Sequence, residues 1–377
     1  MIPSLQHLTD QVRAASANGT ALRIRGGGSK DFYGAPRAGE LLDTKALCGI
    51  TSYEPSELFI TARAGTPLAE IEAALAECGQ CLPFEPPHFQ IVAGAGAETV
   101  GGMVAAGLSG PARASVGGVR DYVLGAQLLN GRGELLTFGG QVMKNVAGYD
   151  VSRLLAGSMG TLGVITEVSL KVLPVAPAEA TLVFDLPQSA ALAQLHRWGG
   201  QPLPLNASCW VFDDTETPAC ELLFVRLCGA VAAVESACQR MLQEVSGIRI
   251  DNVQAAPDWQ DCRDLRLPFF TQPAPGFALW RLSVPQTCPV LHFPWPQFVE
   301  WHGGLRWLWA PLDAATQLRQ ATENVDGCAT VFIADGALSI GASDRFGVAK
   351  PPLNLIQRRL KAEFDPASIF NPGCLFD

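Results

Sequence analysis

The chain has 377 residues, of which 48% are hydrophobic and 17% charged, a globular composition with length enough for more than one core. A formal net charge of −9 argues against nucleic acid or an anionic membrane as main partner, and no apolar run of about 18 residues predicts a transmembrane helix. Eleven cysteines without pattern fit a reducing compartment, and the N-terminus lacks the basic start and apolar stretch of a signal peptide, so a cytoplasmic protein is expected.

The first informative segment opens on a short strand carrying Ala21, Leu22 and Ile24. It runs into Arg25-Gly26-Gly27-Gly28-Ser29-Lys30. Glycines let the backbone take positive φ and let N–H groups approach a bulky anion, while flanking cations add charge. Such a loop suits a phosphate or pyrophosphate, although a plain tight turn has the same composition.

Residues 58–62 read as a strand. Thr66 is the expected N-cap of the next helix and Pro67 its first residue; Leu68, Ile71, Leu75 and Cys78 share a face, and Gly79 ends it. Strands are predicted at 123–129, 134–138 and 163–172, the first two joined by Asn130-Gly131-Arg132-Gly133. Pro174 and Pro177 mark a boundary. Beyond it, strands at 181–185, 207–212, 221–228, 248–253 and 277–284 and helices at 189–198 and 231–245 predict an α+β domain with a mainly antiparallel sheet. Residues 268–296, rich in proline and aromatics, read as loops, and Leu353, Ile356, Leu360 and Phe364 line one face of a last helix.

Further small-residue loops follow the first. They are Thr99-Val100-Gly101-Gly102-Met103 with Gly107, Gly117-Gly118-Val119-Arg120-Asp121, Lys144-Asn145-Val146-Ala147-Gly148-Tyr149-Asp150, and Gly157-Ser158-Met159-Gly160-Thr161-Leu162-Gly163-Val164-Ile165. One extended ligand lying across several loops accounts for all of them. The Cys78/Cys81 pair has no second pair to complete a zinc site, and a dinucleotide fingerprint of the Gly-x-Gly-x-x-Gly kind after the first strand is missing. No cysteine spacing suits an iron–sulfur cluster, so any such centre belongs to another chain.

Taken in order, these loops, Pro86-Pro87-His88-Phe89 and the terminal Phe370-Asn371-Pro372-Gly373 resemble the FAD-linked oxidases that share the FAD domain of p-cresol methylhydroxylase and vanillyl-alcohol oxidase. Within these, residues 23–34, 82–89 and 144–154 resemble the FAD-binding E subunit of glycolate oxidase. The resemblance implies an α+β fold: an FAD-binding domain over residues 1–175, then a smaller ferredoxin-like cap over 176–377 whose final segment, about 365–377, returns to the first domain. It implies that Arg25, Gly26, Gly27, Gly28, Ser29 and Lys30 wrap the FAD pyrophosphate. Thr99, Val100, Gly101, Gly102, Met103 and Gly107 would lie along the ribityl and isoalloxazine, and Gly163, Val164 and Ile165 would meet the adenine side. Gly117, Asp121 and Asn371 complete the implied set.

Where some relatives attach flavin through a histidine, this chain has Ser29 and Lys30, so FAD is expected to be non-covalent; His88 is the rival attachment point. The implied function is that of an FAD-binding glycolate oxidase subunit converting glycolate, a small 2-hydroxy acid, to glyoxylate. Its implied partners are a larger flavin subunit and an iron–sulfur subunit, with any inner-membrane attachment peripheral and made through them. A stand-alone FAD-dependent 2-hydroxy acid dehydrogenase and a non-catalytic assembly subunit are the alternatives. No metal site is expected. The catalytic residues are not assigned by the sequence. In the loop His302-Gly303-Gly304-Leu305-Arg306, His302 is a candidate proton acceptor and Arg306 a candidate carboxylate clamp, against a plain loop over an aromatic core.

Overall fold

The computed structural model describes residues 2–35, 38–89, 94–140, 150–213, 219–271, 275–334 and 340–375. The chain divides into two compact units, one of residues 1–108, 118–174 and 339–377, the other of 109–117 and 175–338. The Lys144–Tyr149 part of the third loop motif lies outside the described residues.

The first unit opens with α1 (Pro3–Asn18), whose Leu5, Leu8, Val12 and Ala15 recur at helical spacing and are buried. They pack with Leu22 of β1 (Leu22–Arg25) and Leu42 of β2 (Glu40–Asp43), two strands paired in parallel. Next come β3 (Ile50–Glu54), β4 (Phe59–Arg63), α2 (Leu68–Glu77), the short β5 (Gln80–Cys81) and α3 (Val100–Ala106). After α4 (Arg113–Val116), which belongs to the second unit, the first resumes with α5 (Val119–Tyr122), β6 (Val123–Leu129), β7 (Leu135–Gly139), β8 (Val164–Lys171) and β9 (Leu173–Pro174).

Strands β3, β4, β8, β6 and β7 form an antiparallel sheet in that order, and β5 pairs with β9. Leu68, Ile71 and Leu75 of α2 and Val100, Met103 and Val104 of α3 bury against it. Thr66 does not cap α2. Its Oγ donates to the Arg63 carbonyl at 2.7 Å and accepts from Gly49 N–H at 2.9 Å, fastening the turn before the helix, and Pro67 takes the cap position.

In the second unit, β10 (Ala178–Asp185), α6 (Gln188–Gly199), β11 (Leu205–Asp213), β12 (Cys220–Gly229), α7 (Val231–Glu244) and β13 (Gly247–Ile250) run in the βαββαβ order of a ferredoxin-like unit. A helix α8 (Asn252–Asp264) follows where the predicted strand ran on to residue 253. Asp251 ends that strand by accepting from Val253 N–H at 2.8 Å as an N-cap. Within 268–296, expected as loops apart from one strand, lie α9 (Pro268–Thr271) and the anticipated strand, β14 (Phe277–Ser283). Then come β15 (Gln297–Glu300), β16 (Leu305–Pro311), α10 (Ala315–Glu323) and β17 (Cys328–Ile333).

The eight strands form one antiparallel sheet, β13-β10-β12-β11-β15-β16-β14-β17. Numbered within each half, the first four strands are ordered 4-1-3-2 and the last four 2-3-1-4. The sheet is thus two ferredoxin-like halves joined edge to edge through β11 and β15, the second without its first helix. The first half buries α6 and α7 through Leu192, Leu195, Trp198, Val234, Cys238 and Met241.

Finally α11 (Ala342–Phe346), α12 (Leu353–Phe364) and residues 365–375 belong with the first unit. The expected return at about residue 365 therefore begins earlier, and residues 109–117, inside the expected first domain, group with the second unit. The return is held by Leu22–Phe370 pairing and by burial of Ile369 and Phe370 with α1, β1 and β2.

Candidate functional site

In the first unit, the turn after β1, the start of α3, the 159–165 segment and Asn371 surround a cavity. Arg25, Gly26, Gly27, Gly28, Ser29, Lys30, Thr99, Gly101, Gly102, Gly163, Ile165 and Asn371, all anticipated, line it. Ile24, Thr44, Ala64, Ala105, Met159 and Gly160 line it too. Of these, Met159 and Gly160 stood inside a flagged glycine block; Ile24, Thr44 and Ala64 carry no local signal, since only folding brings them to the wall.

The glycine turn is shaped by its own neighbours. A Cβ on Gly27 would collide with the Ala97 carbonyl, and Gly27 O accepts from Gly96 N–H at 2.8 Å, so the segment before α3 braces the turn. Gly28 takes φ 83°, and a Cβ there would occupy the place of the Arg25 guanidinium. Among the described residues, the N–H groups of Gly27, Gly28 and Ser29 have no acceptor. Three such donors at a cavity wall form an anion cradle.

The charges are less additive than the sequence suggests. Arg25 Nε is paired with Asp31 Oδ2 at 2.7 Å, so much of the Arg25 charge is met within the wall itself. Thr99 caps α3 by accepting from Gly102 N–H at 3.3 Å, and its side chain fills the space beside Gly26.

Six anticipated residues do not line the cavity. Val100, Met103 and Val164 are buried in the cores of the first unit. Gly107, at φ 66°, ends α3, where a Cβ would strike the backbone of Gly157. Gly117 belongs to the second unit, and Asp121 accepts from Gly118 N–H at 2.8 Å to cap α5. Their small or polar character serves local structure instead.

His88 is held on both ring nitrogens, by Glu72 at 3.0 Å and Glu98 at 3.6 Å, and is not on the cavity wall. Burial pushes the Glu98 carboxyl up, but hydrogen bonds from His88 and its own backbone, with the charges of Lys30 and His88, win and hold it below the usual range.

Asn371 ties the wall together. It is 2% exposed and has φ 40°, a left-handed conformation that asparagine tolerates. Its Oδ1 accepts from Ile24 N–H at 2.9 Å and its Nδ2 donates to the Met159 carbonyl at 2.7 Å. Behind it, Lys361 Nζ donates to the carbonyls of Thr161 and Phe370 at 2.8 Å each and to Asp365 Oδ2 at 2.6 Å. Asp365, fully buried, also accepts from the Ile369 and Phe370 N–H groups.

The catalytic candidates both lie in the second unit. Arg306 is corrected: it is 0% exposed, and its guanidinium donates to the carbonyls of Gly303, Pro289 and Cys288, so it braces a loop and clamps no carboxylate. Trp301 and His302 both have φ 54°, unusual for such bulky residues. The turn lays the Trp301 ring under the guanidiniums of Arg113 and Arg281. It places His302 between Ser115 Oγ on Nε2 and Ser208 Oγ on Nδ1, each 2.9 Å away, and burial brings its pKa down from 6.5 to about 4. His302 is a neutral imidazole with both nitrogens engaged.

A second cavity lies in this unit against Phe224, Trp259, Trp295, Phe298 and Trp309. Among the described residues no Lys, Arg or His lines it, so it does not suit an anionic cofactor. No helix among the described residues is long and apolar enough to cross a membrane.

Comparison with known proteins agrees with this geometry. Residues 3–139 match the family described as FAD binding domain, a span that includes the glycine turn and α3. The chain is 42% identical over 373 residues to glycolate oxidase subunit GlcE of Escherichia coli (strain K12), covering 98% of this chain and 97% of that one. It is 31% identical over 145 residues to glycolate oxidase subunit GlcD of Bacillus subtilis, covering 38% of this chain and 30% of the relative. Over 194 residues it is 30% identical to a D-2-hydroxyglutarate dehydrogenase of Xanthomonas citri pv. viticola, covering 51% of this chain and 40% of that one. Among solved structures, alkyldihydroxyacetonephosphate synthase superposes with a TM-score of 0.65 at 15% identity, over 97% of this chain and 75% of the other, which shows a shared fold.

Proposed function

The chain belongs to the family of the glycolate oxidase subunit GlcE, and on that premise we propose that it is the FAD-binding subunit of a glycolate oxidase, working on glycolate together with a larger flavin subunit and an iron–sulfur subunit. The observation that carries the reading is the cavity of the first unit, where three unpaired N–H groups and Lys30 converge.

The residues divide the work of holding FAD. Gly27, Gly28 and Ser29 direct main-chain N–H groups at the pyrophosphate, and Lys30 adds a positive charge beside them. Thr99 and Asn371 fix the two sides of the cradle. Ile24, Ala64, Ala105 and Ile165 give it an apolar wall that excludes water. FAD bound here would serve as an acceptor for the electrons that the complex removes from the CH–OH carbon of the substrate. A non-covalent cofactor is supported by the wall itself, on which no described histidine or cysteine lies, and by the engagement of His88 with Glu72 and Glu98. Because His302 and Arg306 are occupied by protein groups, the main substrate site is assigned to the larger partner.

Purified chain should be yellow, and acid precipitation should leave the flavin in the supernatant. Glycolate under anaerobic conditions should bleach that flavin only when the partner chains are present. A colourless chain that refuses added FAD would end the cofactor reading. Bleaching of the isolated chain would replace the subunit reading with a stand-alone dehydrogenase.

A further inference from the structure

The tetrapeptide Pro86-Pro87-His88-Phe89 lines no part of the cavity of the first unit, yet two of its side chains reach groups beside the cradle. Pro86 and Pro87 are buried, and their fixed φ presents the next two residues. Phe89 is buried, with its ring centre 5.6 Å from Lys30 Nζ and the ring of Phe32 meeting it edge-on. His88 stands between two carboxylates, with Glu72 Oε1 3.0 Å from Nε2 and Glu98 Oε2 3.6 Å from Nδ1. These three side chains are at most 34% exposed, so water screens the pairing only in part.

Glu98 leads on to the cradle. Lys30 faces it and helps to hold its carboxyl below the usual range. Lys30 in turn donates to Ser29 Oγ at 3.4 Å, on the cavity wall. The main chain keeps Glu98 near the glycine turn. Its carbonyl accepts from Leu68 N–H at 2.8 Å at the head of α2, and two residues earlier Gly96 N–H donates to Gly27 O.

We propose that His88 is a positioning residue for the cofactor: as an imidazolium it counters the Glu98 carboxylate, so that the charge of Lys30 acts on the pyrophosphate. The inference rests on the FAD reading above. A ring with a carboxylate at each nitrogen donates to both only when it carries both protons. The charged groups facing the ring are Glu72 from α2 and Glu98 from the segment before α3, and Lys30 meets Glu98 from the glycine turn. Charge therefore alternates in sign from contact to contact, through Glu72, His88, Glu98 and Lys30 to the phosphates. With the imidazole neutral, Glu98 opposes Lys30 and repels the phosphates. No described histidine or cysteine lies on the cavity wall to give a competing response near neutral pH.

The test strips the flavin from the full chain, titrates FAD back and follows flavin fluorescence, from about pH 6 to about pH 9. Affinity of the unaltered chain should fall about tenfold across that range as the imidazolium loses its proton. His88→Gln, neutral throughout, should bind about tenfold more weakly at the acid end and show no slope. Glu98→Gln should shrink the slope, and adding it to His88→Gln should recover most of the affinity, because the opposing carboxylate is gone. A pH-independent affinity in the unaltered chain overturns the proposal. So does a loss in His88→Gln that is equal at both ends of the range and is not relieved by Glu98→Gln, the mark of a residue that only holds the fold. If His88→Gln does not fold, the profiles of the unaltered chain and of Glu98→Gln decide. A chain that binds no FAD at any pH refutes the cofactor reading itself, a result separate from a flat profile.

Discussion

The side chain of Asn371 donates to the main-chain carbonyl of Met159 at 2.7 Å across 212 residues of sequence, and both residues sit in the left-handed region, at φ 40° and 51°. One amide therefore locks the end of the chain to the glycine turn that borders the cavity. Replacing it by alanine leaves the Met159 carbonyl and the Ile24 N–H without partners in a buried place. Asn371→Ala should cost about 1–3 kcal/mol in chemical denaturation. It should also lower the ratio of flavin to protein absorbance, because the cavity wall loses its tie. Full stability with full flavin content would show that the bridge is dispensable.

Gly27→Ala must displace the Ala97 carbonyl, and with it the segment that leads to Thr99. The expected result is a folded chain with little bound FAD. Lys30→Met should preserve the turn and weaken FAD binding about tenfold, a change of about 1.4 kcal/mol. The loss should shrink as salt rises, since the removed term is electrostatic. Equilibrium dialysis of both variants at two ionic strengths checks this pair.

Lys361 and Asp365 form a pair that is nearly inaccessible to solvent. Burial lowers the Lys361 pKa, and the Asp365 carboxylate works in the opposite direction. Removing one partner strands the other, so Asp365→Ala should destabilise the first unit by roughly 3–5 kcal/mol. Lys361→Met in the same background should recover part of that loss, read as a double-mutant cycle in urea.

His302 gives a pH dependence with a defined sign. The folded protein holds the imidazole at a pKa of about 4, whereas the unfolded chain titrates near 6.5. The stability this provides is complete above pH 6.5 and is lost as pH falls toward 4, where the folded state must also accept the proton. His302→Gln should remove that part of the slope. An imidazole NMR titration with a midpoint near 6.5 in the folded protein would refute the burial argument.

The strands were legible where their signals were local. Residues 123–129 are mostly apolar and end at a glycine-rich turn, and β6 occupies the same residues. α8 carries Pro257 inside it and gives no clear helical signal, yet its capping Asp251 and buried Trp259 and Cys262 hold it against the sheet. The cradle was legible for the same reason as the strands: three adjacent glycines after a strand, flanked by Arg25 and Lys30, announce a backbone-lined turn.

What the sequence alone decided was therefore the glycine turn, the order of βα segments and the apolar stripes, all written in residues close together along the chain. Tertiary structure decided that Asp31 neutralises Arg25, and that Arg306 props up carbonyls instead of meeting substrate. It also decided that Asn371, Lys361 and Asp365 hold the cavity wall from some 200 residues away in sequence. Pairing of charges and hydrogen bonds depends on a few ångströms in space between residues far apart in sequence, and no local pattern encodes that distance.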